Sequence, residues 1–150
     1  MYLNVLRKKP PNTCMADKTF KLEIITPTKV IFNGDVISFS APGVMGGFQV
    51  LFNHAPMLAE ISIGTLKLRE PSGREVFFAT SGGFVDVLNN HVVILAETVE
   101  RHDEIDKSRA ESARDRAKQK LIGKLTENES TETKSALDRA INRIRVAEKQ

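Results

Sequence analysis

Hydrophobic and polar residues alternate along the first two thirds of the chain, in short runs separated by turn-forming residues. Phe20-Lys21-Leu22-Glu23-Ile24 is the clearest run, and a period of two is typical of a strand with one buried face. Asn33-Gly34, Pro71-Ser72-Gly73 and Asn89-Asn90-His91 are typical of tight turns between such runs. The pattern predicts strands over residues 20–24, 29–32, 36–40, 48–52, 66–69, 75–80, 84–88 and 92–95.

The spacing of these runs indicates an all-β module. Short strands that recur roughly every ten residues are typical of an antiparallel sandwich or barrel. A bend bracketed by Pro42-Gly43 and Gly46-Gly47 fits the same scheme. No helical pattern separates consecutive strands, so neither crossover connections nor a parallel sheet is expected.

Beyond residue 98 the pattern changes to one apolar residue per helical turn. Residues 101–150 contain no Phe, Tyr, Trp, Pro or Cys, and the polar segment 126–131 divides them in two. A short connection between two amphipathic segments predicts an antiparallel helical hairpin, whose small-residue faces need a packing partner. The two apolar stripes are Ile105, Ala110, Ala113, Ala117, Leu121 and Leu125, and Leu137, Ala140, Ile141, Ile144 and Ala147.

The predicted fold class is therefore mainly β plus α, an N-terminal antiparallel β-sandwich followed by a C-terminal antiparallel two-helix hairpin. We expect a sandwich domain over residues 17–98 and a hairpin domain over residues 99–150. Residues 1–16 are interpreted as a disordered extension or an over-called translation start, because Met15 opens a natural start. A short targeting arm is the alternative, and the segment lacks the apolar stretch of a secretory signal.

Composition narrows the classes of protein to consider. The net charge is +3 and the isoelectric point is close to 9.1, with acidic and basic residues interleaved in the tail. Interleaved charges are typical of solvated helix faces, which argues against a nucleic-acid partner. The single Cys14 excludes an intrachain disulfide, and no apolar run is long enough to span a membrane. Any membrane contact is therefore expected only through partners.

The candidate chemistry lies in the helical tail. The glycines of residues 43–47 lack the Lys-Ser/Thr of a phosphate-binding loop, and His54 has no nucleophile or acid partner in the sequence. Arginines, in contrast, share helix faces in both predicted helices, and guanidinium is well suited to phosphate. On spacing alone such charges are more often solvated or paired along the helix. The arginines are Arg109 and Arg116 in the first helix and Arg139 and Arg143 in the second, with Asp106 one turn before Arg109.

Four segments resemble the epsilon subunit of bacterial and chloroplast-type F-type ATP synthases. They are Phe48–Pro56, Ser81–Phe84, Val92–Ala96 and Ala136–Arg143, and the likeness extends in order over about residues 18–149. The family's Ile-Leu-Pro-Gly before His-Ala-Pro reads Val50-Leu51-Phe52-Asn53 in this chain. The resemblance implies a ten-stranded sandwich, a helical hairpin and a non-catalytic role in the central stalk of a proton-translocating ATP synthase.

The resemblance also implies partners and a location. The sandwich is expected to bind the gamma subunit and the ring of c subunits. The helices are expected to reach the alpha/beta catalytic hexamer in an extended form that blocks ATP hydrolysis. The protein would lie peripherally at the cytoplasmic face of the bacterial plasma membrane and would touch the membrane only through the complex.

The family's nucleotide motif, Ile-Asp-x-x-Arg-Ala, is matched at the start of the first helix. ATP is thus implied as a regulatory ligand and not as a required cofactor. A free-standing ATP-sensing sandwich and hairpin is the alternative function, and a basic RNA-binding module ranks third. The implied site residues are Ile105, Asp106, Arg109 and Ala110 of the motif, together with Glu100, Arg116, Arg139 and Arg143.

Overall fold

The computed structural model describes residues 18–149. The extension interpreted over residues 1–16, with Cys14, lies outside the described residues. Ten strands are followed by two helices within the described range. They are β1 (Phe20–Ile25), β2 (Val30–Val36), β3 (Ser38–Gly43), β4 (Gly46–Leu51), β5 (Met57–Ile61), β6 (Gly64–Arg69), β7 (Glu75–Thr80), β8 (Gly83–Leu88), β9 (His91–Ala96), β10 (Val99–Arg101), α1 (Lys107–Ile122) and α2 (Glu127–Ala147).

The strands form a β-sandwich around one hydrophobic core, as the alternating pattern predicts. Hydrogen bonds join them in the order β10-β7-β6-β3-β5-β8-β9-β1-β2, and β4 pairs with β3. Alternate residues point inward, so Leu22 and Ile24 of β1 are fully buried while Lys21 is exposed. The largest fully buried side chains are Phe39, Phe78, Leu22, Ile24, Leu66, Leu68 and Ile94.

Two details of the strand prediction are wrong. Asn33-Gly34 is not a turn: both residues lie inside β2, opposite Glu23 and Leu22 of β1. The strand continues because Val36 is fully buried at its end, and burying this side chain outweighs the local turn preference. The hydrophobic pattern also did not predict strands β5 (Met57–Ile61) and β10 (Val99–Arg101).

The pairing of β1 with β9 is parallel, which also departs from the prediction. Parallel neighbours need a long connection, and a crossover helix usually supplies it. In this fold the intervening strands β2 to β8 provide that connection. All the other strand pairs are antiparallel, so the predicted sandwich class is confirmed.

One tight turn and one close approach between strands depend on residues with positive φ. Asn89 and Asn90 adopt φ values of 49° and 58°, which suits a two-residue hairpin between β8 and β9 and confirms the turn predicted there. Gly83 has a φ of 150°, and a Cβ atom at this position would collide with the carbonyl oxygen of Leu95. The close approach of β8 to β9 therefore requires glycine at the first residue of β8.

Both predicted helices form, with a shorter break between them than the sequence indicated. Asp106 caps α1, and its Oδ1 accepts the backbone N–H of Arg109 at 3.0 Å. Thr126 and Glu129 form a reciprocal capping box that starts α2 at Glu127. The predicted polar break over residues 126–131 is therefore wrong for residues 127–131, which are helical because the capping box satisfies the first N–H groups of α2. The last strand, β10, pairs with β7 and extends past residue 98.

The hairpin packs on the sandwich through its second helix. Small buried residues lie between the helices, Ala110 and Ala117 on α1 and Ala140 on α2. Helix α2 contacts β6 and β7, where Asn142 and Val146 are buried. None of the helices within residues 18–149 is long and apolar enough to cross a membrane.

Candidate functional site

The groove between the two helices and β10 contains two neighbouring cavities, of about 340 and 370 Å³. Arg116 and Arg143 line both, so the two cavities adjoin along the groove. The structure thus brings together seven of the eight implied site residues. The first cavity is lined by Glu100, Asp106, Arg109, Ala110, Arg116 and Arg143, with Glu104 and Ala113, and the second adds Arg139 and Lys120.

Ile105 is the eighth implied residue. It lies immediately before the cap of α1, is half-buried, and is outside the linings of these two cavities.

The first cavity combines three guanidiniums with three carboxylates. Arg143 binds Glu100 through both Nε and Nη2, each 2.7 Å from the same carboxylate oxygen. Both side chains are about one third exposed, so solvent weakens this pair only in part. Within residues 18–149, no ion pair joins Arg109, Arg116 or Arg139 to a carboxylate. Guanidiniums without an internal partner are available to a phosphate, while the carboxylates can accept hydrogen bonds from amino or hydroxyl groups.

Asp106 contributes through the helix backbone. Its side chain accepts the main-chain N–H of Arg109 and so fixes where α1 begins. The hydrogen bond from Arg109 to Asp106 thus involves the backbone of Arg109. Asp106 therefore positions Arg109 by setting the first turn of the helix that bears it.

An ion pair closes the open end of the hairpin. Lys107 Nζ, at the start of α1, lies 2.8 Å from Glu148 Oε1, immediately after α2. The hydrogen bond from Lys107 lowers the pKa of the Glu148 carboxyl below its ordinary value, and the same bond raises the pKa of Lys107. The pair joins the start of one helix to the end of the other, so it requires the folded hairpin.

The outer face of the sandwich exposes large apolar side chains on the neighbouring strands β5, β8 and β9. Leu58 is 74% exposed, and Phe84 and Leu95 lie directly opposite each other with about half of each side chain exposed. A broad shallow cavity of about 610 Å³ continues from Phe84 and Leu95 to Pro27. At the tip of the β3–β4 hairpin, Met45 is fully exposed. A cluster of exposed apolar side chains, such as the adjacent Phe84 and Leu95, is typical of an interaction surface.

Comparison with known proteins establishes the family. The family described as "ATP synthase, Delta/Epsilon chain, beta-sandwich domain" matches residues 19–102, and the "ATP synthase, Delta/Epsilon chain, long alpha-helix domain" matches residues 103–148. The chain belongs to the ATP synthase delta/epsilon family. The matches cover both parts of the fold and confirm the resemblance found in the sequence.

Relatives within the family are similar over most of their length. The ATP synthase epsilon chain of Syntrophomonas wolfei is 40% identical over 135 residues, which are 90% of this chain and 98% of the relative. That of Desulforamulus reducens is 42% identical over 131 residues, covering 87% and 98%. The shared length spans the sandwich and both helices.

Solved structures show the same fold at lower sequence identity. A chain of the Euglena gracilis mitochondrial ATP synthase (OSCP/F1/c-ring) matches with a TM-score of 0.75 and 20% identity, covering 83% of this chain and 79% of its own. A chain of the Tetrahymena thermophila mitochondrial ATP synthase, central stalk and c-ring, matches with a TM-score of 0.60 and 20% identity, covering 85% and 95%. The combination of sandwich and hairpin is thus shared across these structures.

Sequence reasoning missed three features of this family member. Glu104 lines the first cavity and is not among the implied site residues. Lys120 lines the second cavity and is not among them either. Asn142 lies inside a segment that resembles the family and was given no role. The feature of the sequence that could have indicated a role is that Asn142 is polar although it lies between the apolar residues Ile141 and Ile144.

Proposed function

We propose that the chain is a non-catalytic central-stalk subunit of a proton-translocating F-type ATP synthase. It would couple the rotor to the catalytic head and restrain ATP hydrolysis through its helices. The observation that supports this most strongly is the similarity to ATP synthase epsilon chains over nearly their full length. The matching Tetrahymena thermophila chain comes from a structure of the central stalk and c-ring.

The apolar outer face is the surface we assign to the gamma subunit. Leu58, Phe84 and Leu95 lie together on three neighbouring strands and are largely exposed in the isolated chain. Complete burial of such a side chain is favourable by roughly 1.5–3 kcal/mol, so burying the exposed half of Phe84 or Leu95 contributes about half of that. The tip at Met45 would face the c ring, and the complex would hold the protein at the cytoplasmic face of the plasma membrane.

Regulation follows from how the hairpin is held. Its helices meet through small residues, and an exposed ion pair closes its open end. Such contacts stabilise the folded hairpin only moderately, so an extended form that reaches the alpha/beta hexamer is accessible. The charged outer faces keep both forms soluble.

A pull-down from native membranes tests the stalk assignment. The tagged chain should recover the gamma subunit and the c ring, and Phe84→Glu should reduce that recovery because it places a charge within the apolar face. Ile122→Glu is the matched control, since Ile122 is 86% exposed at the end of α1, away from this face. Equal recovery by both variants would contradict the assigned surface. Failure of the unaltered chain to recover the gamma subunit would favour the free-standing ATP sensor.

We further propose that the groove between the helices binds ATP as a regulatory ligand. The supporting observation is the set of arginines from both helices around two adjoining cavities. Because α1 and α2 both contribute, ATP would bind the folded hairpin better than the extended form and would shift the population towards it. Calorimetry with the full chain should show a heat of binding for ATP. If no heat of binding is measured at millimolar ATP, the proposed site is refuted. An RNA-binding role would require steeply salt-dependent affinity for RNA.

A further inference from the structure

Asn142 is a buried polar side chain in the contact between α2 and the sandwich. It is 6% exposed. Its Nδ2 donates to the carbonyl oxygen of Gly64 at 2.6 Å, and its Oδ1 accepts from the hydroxyl of Thr65 at 3.2 Å. One amide thus spans two consecutive residues at the start of β6. The carbonyl of Gly64 can only accept, which determines the orientation of the amide.

The position of Asn142 makes it sensitive to the register of α2. A shift of the helix by one turn would bring Asp138 or Val146 towards the Gly64 carbonyl. An ionised carboxylate offers that oxygen no hydrogen, and neither does an apolar side chain. Asn142 therefore satisfies the Gly64 carbonyl in the observed register, and neither residue four positions away on α2 could replace it.

The same register orients the arginines of α2. Arg139 and Arg143 flank Asn142 in the helix, and both line the groove that faces α1. Helix α1 packs mainly on α2, whereas α2 packs on β6 and β7. The place of the whole hairpin thus depends on the contact that contains Asn142.

We propose that Asn142 is a latch, a positioning residue that holds α2 in its docked register and opposes undocking of the hairpin. When α2 leaves the sandwich, water satisfies both the amide and the Gly64 carbonyl. When α2 stays docked without the amide, the part-buried Gly64 carbonyl loses this hydrogen bond while the helix still restricts its access to water, and this is the costly state. The latch therefore acts on the equilibrium between docked and undocked helices. Its regulatory meaning rests on the function proposed above.

Hydrogen exchange of the full chain tests the latch. Asn142→Ala should accelerate exchange of the α2 amides about 5- to 150-fold, which corresponds to the loss of one hydrogen bond by the part-buried Gly64 carbonyl. The amides of β1 and β9 should keep their protection, because opening is local. Unchanged α2 exchange, or an equal acceleration in α2 and in these strands, would overturn the latch, since the second result indicates only a general loss of stability.

Three variants separate the latch from helix propensity and packing. Asn128→Ala makes the same substitution at an exposed position of α2 and should leave α2 exchange unchanged. Asn142→Asp keeps the volume but removes the donor, so it should open α2 as Asn142→Ala does; retained protection would overturn the latch. Thr65→Val removes the hydrogen bond that the sandwich donates to Asn142. It should accelerate α2 exchange less when Asn142→Ala is already present than it does alone. Full additivity would contradict a shared contact.

ATP hydrolysis by the assembled complex distinguishes this inference from the regulatory proposal. If the undocked helices inhibit, Asn142→Ala should lower hydrolysis while it accelerates α2 exchange. Faster α2 exchange with unchanged hydrolysis would support the latch and refute the regulatory role. Unchanged α2 exchange would overturn the latch whatever the complex does.

Discussion

Replacing Arg109 by alanine isolates the contribution of one guanidinium to nucleotide binding. Arg109 is exposed at the first turn of α1 and lines the first cavity. Asp106 bonds to its backbone N–H, so the helix cap survives the substitution. Alanine also has a helix propensity at least as high as arginine. The variant should therefore fold as the unaltered chain does and lose only the side chain that reaches the groove.

The expected loss follows from the geometry of the cavity. A hydrogen bond to a charged group contributes about 1.5–3 kcal/mol. At about 1.4 kcal/mol per factor of ten, this range weakens ATP binding about ten- to a hundredfold when the guanidinium is removed. Arg109 is more exposed than Arg143, which Glu100 partly shields, so solvent screening places the effect of Arg109→Ala towards the tenfold end.

Calorimetry of the full chain with ATP gives the measurement, and Arg145→Ala is the matched control. Arg145 is also exposed and carries the same charge, but it lines a different cavity beside Ser62 and Ile63. Its loss should change ATP affinity little. Equal weakening by the two variants would show that the arginines act only through general charge. Their assignment to a phosphate site would then be wrong.

Two further predictions concern the hairpin as a unit. A chain that ends at His102 keeps β10 paired with β7, so it should still unfold cooperatively in a thermal scan. It should also still join the ATP synthase complex and raise ATP hydrolysis by that complex. Loss of cooperative unfolding would contradict an independently folded sandwich. The ion pair between Lys107 and Glu148 should make the stability of the folded hairpin depend on pH. Because the pKa of Glu148 is lowered, its contribution is fully present above the ordinary pKa near 4.5 and is lost as the pH falls through the lowered pKa. The raised pKa of Lys107 has the opposite sign: its contribution is present below about 10.5 and is lost as the pH rises through the raised pKa. The difference in melting temperature between the unaltered chain and Glu148→Gln should therefore be largest between these limits and shrink outside them, and a difference independent of pH would refute the ion pair.

The period of the hydrophobic pattern predicted eight of the ten strands, both helices and the fold class. Leu22 and Ile24 alternate with polar residues, and both are fully buried in the structure. Turns whose geometry depends on their own residues were also predictable, as at Asn89-Asn90. The prediction failed at Asn33-Gly34, because the strand partner β1 and the burial of Val36 decide the conformation there.

The candidate site was only half predictable. Helical spacing places Arg109 and Arg116 on one face and Arg139 and Arg143 on another, since side-chain direction along a helix depends on local geometry alone. Spacing does not say whether the two faces meet. That depends on the capping box that shortens the loop and on the docking of α2 against β6 and β7.

The sequence alone therefore determined both helices, most of the strands and the face that each of their side chains occupies, because these properties depend mainly on near neighbours in the chain. The tertiary structure decided which faces meet. Glu100 reaches Arg143 across 43 residues, and Asn142 reaches Gly64 across 78. Such contacts form only when packing of the whole chain brings distant residues together, so no local pattern encodes them.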